Sequence, residues 1–273
     1  MNYKIIKRII DFLIGTFIFL IMLPLMLIFF IILLIELRQY PLFIQERGLT
    51  LNNYRFKIYK FKTIKEKNKT LLNHTGKNDI FYKRDLAESI TPFAGWLRKS
   101  GFDELPQLLN VILGKMSIVG PRPLMINDLE IMQKEFSKYY EKRTQIKTKP
   151  GLTGLWQIFG DRTRGIRDLI ALDLIYFKFK SFFLDFKIFF ATIPIVLFAR
   201  NSDAILNNNK ISRGLQSLFL SSLLSSIWKN SKADTDKIHF QDKEKITDYI
   251  IELPNDWWNT NESIKFDNKK DLI

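Results

Sequence analysis

The N-terminal part of the chain is dominated by one long apolar run. Residues 12–35 carry no charged side chain, and only Gly15, Thr16 and Pro24 interrupt the apolar residues. This run is long enough for a helix embedded in a membrane. A cleaved signal peptide would have a shorter apolar stretch followed by small residues, whereas Glu36-Leu37-Arg38 follows here. The pattern therefore predicts a membrane helix that the protein retains.

The position of Pro24 bears on how this helix meets the membrane. Proline removes one backbone hydrogen bond and favours a kink, so the helix can bend near its midpoint and return to the leaflet that it entered. Basic residues lie on both sides of the run, among them Lys7, Arg8 and Arg38, and they do not distinguish the two sides of a bilayer. A simple spanning helix with a tolerated proline is the alternative, and hydropathy leaves both open.

The pattern after residue 40 predicts short strands followed mainly by helices. Apolar alternation predicts strands at residues 41–44 and 54–59, with a turn at Gly48. Helical spacing predicts helices at about 91–99, from Asp103 or Glu104 to Leu113, and at about 127–145, 165–178 and 185–198. Prolines and glycines at 120–123 and 150–154 predict turns. We expect an α/β domain that is mostly helical, with a few short strands.

Three segments follow from these patterns. Residues 1–39 form the membrane helix, residues 40–200 the catalytic domain, and residues 201–273 a C-terminal extension. Residues 66–90 are polar and predict a surface loop. Within the extension, residues 215–228 predict an amphipathic helix that lies on a membrane surface or packs on the main domain. From residue 230 onward the charge pattern predicts a partly disordered tail or a small accessory piece.

The composition limits the kinds of partner and of catalytic group that this chain can use. A formal net charge of +14 favours anionic partners, such as phosphorylated substrates, acidic lipids or nucleic acid. The absence of cysteine excludes disulfides, thiol nucleophiles and cysteine zinc sites, and two histidines leave little room for imidazole chemistry. Catalysis would therefore rest on carboxylates, arginine and lysine.

The best candidate site is the adjacent pair Asp103 and Glu104 at a predicted helix N-terminus. Free amides and the helix dipole favour negative charge there, so we expect Asp103 to stay ionised and nucleophilic. Glu104 would hold a divalent cation against a diphosphate. Arg98 lies just upstream, and Arg122 lies between two prolines, where it could grip phosphate in bidentate fashion. The alternative is that the acids cap the helix, Arg98 is solvated and Arg122 binds a backbone carbonyl.

These residues lie within a recognisable stretch, LRKSGFDELPQLLNVILGKMSIVGPRPL, at 97–124. It resembles the signature of the bacterial sugar transferases known as monotopic phosphoglycosyl transferases, in their small single-domain form. The resemblance covers about residues 3–198 and includes further matching positions: Lys7, Arg8, Asp11, Pro24, Gln45, Arg47, Lys60 to Thr63, the run at 150–157, Arg162, Asp173, Tyr176 and Asp185.

The resemblance implies a re-entrant membrane helix, kinked at Pro24, and a catalytic domain on the cytoplasmic face of the bacterial inner membrane. It implies an Asp103–Glu104 pair that binds Mg²⁺. Asp103 would attack the β-phosphate of a UDP-sugar and release UMP, and a polyprenol (undecaprenyl) phosphate would then take the sugar phosphate. Five basic residues would hold phosphates: Arg98, Arg122, Lys60, Lys62 and Arg162.

The product implied by the resemblance initiates capsule, exopolysaccharide, O-antigen or glycoprotein glycan synthesis. Membrane lipids and other glycan-assembly enzymes are then expected partners, and nucleic acid is not. Two positions depart from the family. Lys62 replaces the usual arginine and lacks its bidentate fork, and Phe159 follows the run at 150–157 before Gly160-Asp161-Arg162. A rival interpretation is a non-catalytic, membrane-tethered basic protein that binds acidic lipid or nucleic acid. The rival accounts for the charge and leaves the Asp–Glu pair without a role.

Overall fold

The computed structural model describes residues 3–65, 90–160 and 164–197, together with residue 251. The predicted surface loop, Arg162, and the amphipathic helix and tail expected after residue 200 lie outside these residues, apart from residue 251. The chain forms two compact units, Met1–Ile205 and Leu206–Ile273, and the description below concerns the first unit. The predicted division into segments 1–39, 40–200 and 201–273 stays a prediction.

The first unit begins with a long apolar helix, α1, at Tyr3–Leu37. At 1.5 Å per residue it is about 50 Å long, and its length and composition suffice to cross a membrane. Pro24 lies inside the helix without ending it. One face exposes large apolar side chains along the whole length, including Ile5, Leu13, Phe17, Leu20, Leu27, Ile31 and Ile35. A continuous apolar surface of this kind indicates a membrane environment.

The opposite face of α1 packs against the rest of the unit near the N-terminus. Asp11 accepts hydrogen bonds from the Ser117 hydroxyl at 2.5 Å and from the Ile118 N–H at 3.1 Å. Arg8 donates to the carbonyl oxygens of Val111 and Ile112 at 2.8 and 2.7 Å. The start of the membrane helix is therefore fixed to the globular part by buried polar contacts.

The C-terminal half of α1 contributes to the hydrophobic core. Its buried residues Met26, Phe29, Leu33 and Leu37 form one cluster with buried residues that come later in the chain: Phe61, Ala94 and Leu97. The spacing of three and four residues places the α1 members on one helical face. Both ends of α1 thus contact the same unit.

Within the residues that the structure describes, five short strands form two small sheets. Strand β1 (Leu42–Gly48) pairs antiparallel with β2 (Phe56–Phe61) on one edge and with β4 (Leu124–Met125) on the other. Strand β3 (Ser117–Val119) pairs in parallel with β5 (Gly151–Thr153). The expected few strands are confirmed. The predicted turn at 150–154 is wrong in part, because Gly151–Thr153 is paired backbone.

The remaining elements are helices, which makes the unit mostly helical as expected. They are α2 (Pro92–Ser100), a 3₁₀ helix (Phe102–Gln107), α3 (Leu108–Ile112), α4 (Ile126–Glu135), α5 (Ser137–Thr144), α6 (Leu155–Phe159), α7 (Gly165–Phe179) and α8 (Phe182–Leu197). The predictions at 91–99, 165–178 and 185–198 are confirmed within a few residues.

Two predicted helices differ from the structure. The segment 127–145 is two helices, because Phe136 leaves the helical region at φ −130° and ψ 46°. The helix expected to start at Asp103 is a 3₁₀ helix through Gln107, and α-helical geometry begins only at Leu108. Pro106 lies inside the 3₁₀ segment, where its missing N–H cannot serve a regular α-helical bond.

Candidate active site

Strand β2 brings Lys60 to the carboxylate pair. The Lys60 ammonium forms a close ion pair with Oε1 of Glu104 on the 3₁₀ helix. The two side chains are 18% and 29% exposed, so water only partly screens their attraction. The structure therefore places one predicted phosphate-binding cation directly against one predicted catalytic acid.

A buried ion pair fixes the backbone of Arg122. Arg143 is fully buried and donates to Asp173 Oδ2 at 2.7 Å, to the Leu49 carbonyl at 2.5 Å, and to the Arg122 carbonyl. Asp173 Oδ1 accepts the Arg122 N–H at 3.2 Å. Both backbone polar groups of Arg122 are thus held by the same pair, and prolines on either side restrict the chain further.

Arg122 and Lys60 line a polar cleft together with Arg47, Glu104 and Gln157. Arg47 lies on β1, where its Nε donates to Gln45 Oε1 at 3.0 Å. Burial and the charge of Arg122 lower the pKa of Arg47 to about 10, so it remains protonated at neutral pH. Three cations around one carboxylate make the cleft suited to a polyanion such as a diphosphate.

The two acids of the site titrate differently. Burial tends to raise the pKa of Glu104, but the positive charges of Lys60 and Arg122 outweigh it and lower that pKa below its ordinary value. Glu104 is therefore ionised at neutral pH. Burial raises the pKa of Asp103 from 3.8 to about 7, with Glu104 adding to the rise and Lys60 and Arg98 opposing it.

The raised pKa of Asp103 corrects the expectation that a helix N-terminus keeps this carboxylate fully ionised. A short 3₁₀ helix offers a small dipole, and the loss of water around the carboxyl outweighs it. Before any ligand binds, the pKa of Asp103 therefore lies well above its ordinary value. Charge brought by a ligand or cation would decide its ionisation, which is common for groups in active sites.

The other predicted phosphate-binding residues lie apart from the cleft or outside the described residues. Arg98 lies in the last turn of α2 and acts on Asp103 through its charge. Lys62 follows β2, and its N–H donates to the Pro41 carbonyl at 2.6 Å. Within the described ranges, Lys62 and Arg98 are not part of the cleft wall. Arg162 lies in the gap at 161–163.

Two cleft residues were not assigned a role from the sequence. The family resemblance marked Arg47 among many basic residues between 38 and 62 but gave it no role. Its place on the middle strand β1 puts it on the wall of the cleft. Gln157 ends the 150–157 run, and its buried side-chain oxygen has no hydrogen-bond partner in the described part of the chain. An oxygen of this kind at a cleft wall is ready to accept a hydrogen bond from a ligand.

The oxygen donors of the site suit one class of metal. No group of three or more His, Cys, Asp or Glu side chains clusters within the described residues, which leaves Asp103 and Glu104 as candidate ligands. Mg²⁺ commonly binds through one or two carboxylates, water and substrate phosphates. The ionised Glu104 beside a cationic cleft therefore fits a Mg²⁺ ion that binds together with a diphosphate.

Comparison with known proteins gives a consistent picture. The model of the family described as bacterial sugar transferase matches residues 2–199. The exopolysaccharide production protein ExoY of Rhizobium meliloti is 38% identical over 168 residues, covering 59% of this chain and 72% of that protein. The undecaprenyl-phosphate glucose phosphotransferase of Komagataeibacter xylinus is 31% identical over 207 residues, covering 72% of this chain and 36% of that protein.

A third relative carries a donor in its name. The UDP-glucose:undecaprenyl-phosphate glucose-1-phosphate transferase of Klebsiella pneumoniae is 36% identical over 144 residues. The matched region covers 50% of this chain and 28% of that protein. The chain thus spans about a third of the longer relatives and most of the shorter one.

Proposed function

We propose, since this chain belongs to the bacterial sugar transferase family, that it transfers a sugar phosphate from a UDP-sugar to a polyprenol phosphate and releases UMP. Membership of the family makes it a phosphoglycosyl transferase. The names of the relatives support undecaprenyl phosphate as the acceptor and a UDP-sugar as the donor. The non-catalytic alternative does not account for this family membership.

The observation that carries the proposal is the cationic cleft beside adjacent carboxylates. Arg47, Lys60 and Arg122 can neutralise the diphosphate of a nucleotide sugar, as positioned cations do in phosphoryl transfer. Asp103 adjoins Glu104 in the chain and supplies a carboxylate nucleophile. A protein that only bound acidic lipid would need the cations and not the carboxylates.

The proposed reaction has two steps. In the first, an Asp103 carboxylate oxygen attacks the β-phosphorus of the donor. The bond from that phosphorus to the bridging oxygen breaks, and UMP leaves with the electron pair. In the second, a phosphate oxygen of the acceptor attacks the phosphorus of the aspartyl phosphosugar, and the bond to Asp103 breaks to restore the carboxylate. Arg47, Lys60 and Arg122 stabilise the charge on the donor phosphates.

We further propose that Asp103 and Glu104 hold Mg²⁺, which when bound supplies positive charge against the diphosphate. Gln157 would accept a hydrogen bond from the donor. Sugars differ between relatives, whose names include both glucose and galactose, so a panel of UDP-sugars is the direct route to the donor. The expected product would initiate exopolysaccharide, capsule, O-antigen or glycoprotein glycan synthesis.

We also propose that α1 enters one leaflet and returns, so that the catalytic domain lies on the cytoplasmic face of the inner membrane. The contacts of Arg8 and Asp11 at one end, and of Leu33 and Leu37 at the other, are with the same unit. Around a spanning helix, the globular residues that contact its two ends would lie on opposite sides of the roughly 30 Å hydrocarbon core. Basic residues on both flanks are consistent with a shared cytoplasmic side.

Measurement of UMP release tests the enzymatic proposal. With acceptor and Mg²⁺ we expect repeated turnover, and with Mg²⁺ and no acceptor we expect one stoichiometric burst. Asp103→Asn should abolish both, whereas Glu130→Gln, on the exposed surface of α4, should change neither. Mass spectrometry of the burst product should find the sugar phosphate on Asp103. Full turnover by Asp103→Asn would show that the nucleophile is another residue.

A further inference from the structure

Four aromatic rings form a continuous patch between the membrane helix and the nucleophile. We call Phe29 of α1, Phe93 and Trp96 of α2, and Phe102 of the 3₁₀ helix the aromatic patch. The Phe29 ring centroid lies 5.6 Å from Phe93, 5.9 Å from Trp96 and 5.9 Å from Phe102. Trp96 lies 5.6 Å from Phe102 and stacks on Phe93 at 5.7 Å.

The patch is anchored at its base and open at its outer face. Phe29 is 4% exposed and belongs to the core cluster, whereas Trp96 is 43% exposed. An indole left open to this extent presents an apolar surface to whatever surrounds the membrane helix. The core therefore holds the aromatic patch in place, and the exposed side of Trp96 can contact a ligand.

One residue of the aromatic patch is a direct neighbour of the nucleophile in the sequence. Phe102 immediately precedes Asp103, and Glu104 immediately follows it. Phe102 belongs to the aromatic patch, whereas Glu104 lines the polar cleft. Asp103 thus lies where an apolar surface that extends to α1 meets a cationic cleft.

We propose that the aromatic patch binds the first isoprenoid units of the lipid acceptor and thereby brings its phosphate to Asp103. This inference rests on the proposed function. The acceptor combines a charged head with a long apolar chain. The head must reach the phosphosugar on Asp103 while the chain stays out of water. An aromatic surface continuous with the membrane helix meets that requirement.

Arg98 supports the same assignment. It lies two residues after Trp96, in the last turn of α2, and its charge acts on Asp103 although it does not line the donor cleft. An arginine placed there is suited to the acceptor phosphate. The donor phosphates would then be held by the cleft cations and the acceptor phosphate by Arg98, with Asp103 accessible to both.

The test compares Trp96→Ala with a matched exposed aromatic, Phe183→Ala. Phe183 lies on α8 and is 65% exposed. For Trp96→Ala we expect an unchanged UMP burst without acceptor and a KM for long-chain polyprenol phosphate raised about tenfold, the scale for losing one aromatic anchor. Trp96→Phe should recover most of the loss, and Phe183→Ala should change neither quantity.

Acceptor length separates a chain-binding role from a structural one. With a short acceptor that carries no isoprene unit, such as methyl phosphate, Trp96→Ala should differ from the parent by less than about twofold, because no chain reaches the patch. Membrane association, measured by flotation with liposomes, should be the same for both. If Trp96→Ala loses the donor burst, Trp96→Gln, which keeps a long side chain without the ring, is measured against the same criteria.

Several results would overturn the inference. These are an unchanged KM for the long acceptor, equal losses with long and short acceptors, or a loss of liposome binding in place of the KM change. The last result would make the patch a membrane anchor of the aromatic-belt type. Absence of a UMP burst in the parent protein would instead refute the proposed function, so the two failures are distinguishable.

Discussion

Replacement of Arg143 by methionine tests the claim that a buried ion pair positions Arg122. Arg143 is fully buried and donates to Asp173 Oδ2 at 2.7 Å, to the Leu49 carbonyl at 2.5 Å and to the Arg122 carbonyl. Methionine fills similar space but donates nothing, so Asp173 would lose its counter-charge and the two carbonyls would lose a donor. Breaking such a pair from one side costs about 3–5 kcal/mol of unfolding free energy.

A double variant refines this magnitude. In Arg143→Met/Asp173→Asn the amide oxygen can still accept the Arg122 N–H, which now donates to Asp173 Oδ1 at 3.2 Å, and no uncompensated charge remains. We therefore expect the double variant to lose about 1–3 kcal/mol, less than Arg143→Met alone. Arg55→Met serves as the surface control, because Arg55 and its partner Glu46 are 44% and 46% exposed; it should lose at most about 1 kcal/mol.

The pH dependence of the loss gives a second readout. Burial raises the pKa of Asp173 to about 6 even with Arg143 beside it, and without Arg143 the pKa should rise further. A carboxyl whose folded pKa exceeds its unfolded value stabilises the fold at low pH, and that contribution is lost as pH rises through the folded pKa. The deficit of Arg143→Met relative to the parent should therefore grow between pH 6 and 8.

The assay is denaturant unfolding of the full chain in detergent micelles, followed by the KM for the UDP-sugar. Positioning of Arg122 predicts that this KM rises in Arg143→Met and recovers partly in the double variant. A loss below about 1 kcal/mol in Arg143→Met, or a double variant as unstable as the sum of both single variants, would refute the account of the pair.

Three further outcomes follow from the site and the helix. At limiting UDP-sugar, which reports the free enzyme, the rate of the UMP burst should rise with pH through the pKa of Asp103, about 7; a profile flat from pH 5.5 to 8.5 would show that this pKa is not raised. Arg47→Met should raise the KM for the UDP-sugar about tenfold or more through loss of a charge-assisted contact, and an unchanged KM would remove Arg47 from the donor site. Because the chain has no cysteine, Lys4→Cys and Tyr40→Cys each provide a single thiol on one side of α1. A membrane-impermeant maleimide added to intact cells should label neither variant. Labelling of Tyr40→Cys alone would show that α1 spans the membrane.

The sequence predicts well what depends on local pattern. The apolar run predicted α1, and the local pattern predicted strands close to β1 and β2, because each signal lies within a few neighbouring residues. Their antiparallel pairing is seen only in the structure. The break between α4 and α5 could not be predicted, since Phe136 is neither proline nor glycine. The 3₁₀ geometry at Asp103 was also missed, because helical spacing alone does not distinguish a 3₁₀ turn from the start of an α-helix.

Features that depend on distant residues escaped prediction. Arg143 lies in the polar stretch SKYYEKRT, where nothing distinguishes a buried arginine from a solvated one. Its partner Asp173 is 30 residues away, and the match to the family marked Asp173 without explaining it. The ionisation of Asp103 was misjudged for the same reason, because burial by the folded chain, and not the local helix end, sets its pKa.

The contacts along both halves of α1 have a consequence for biogenesis. Met26, Phe29, Leu33 and Leu37 complete a core that also contains Phe61, Ala94 and Leu97, so the globular part cannot complete this core until α1 has packed against it. A truncated protein that lacks residues 1–39 would expose the apolar surface around Phe61, Ala94 and Leu97 to water. We expect it to aggregate during expression.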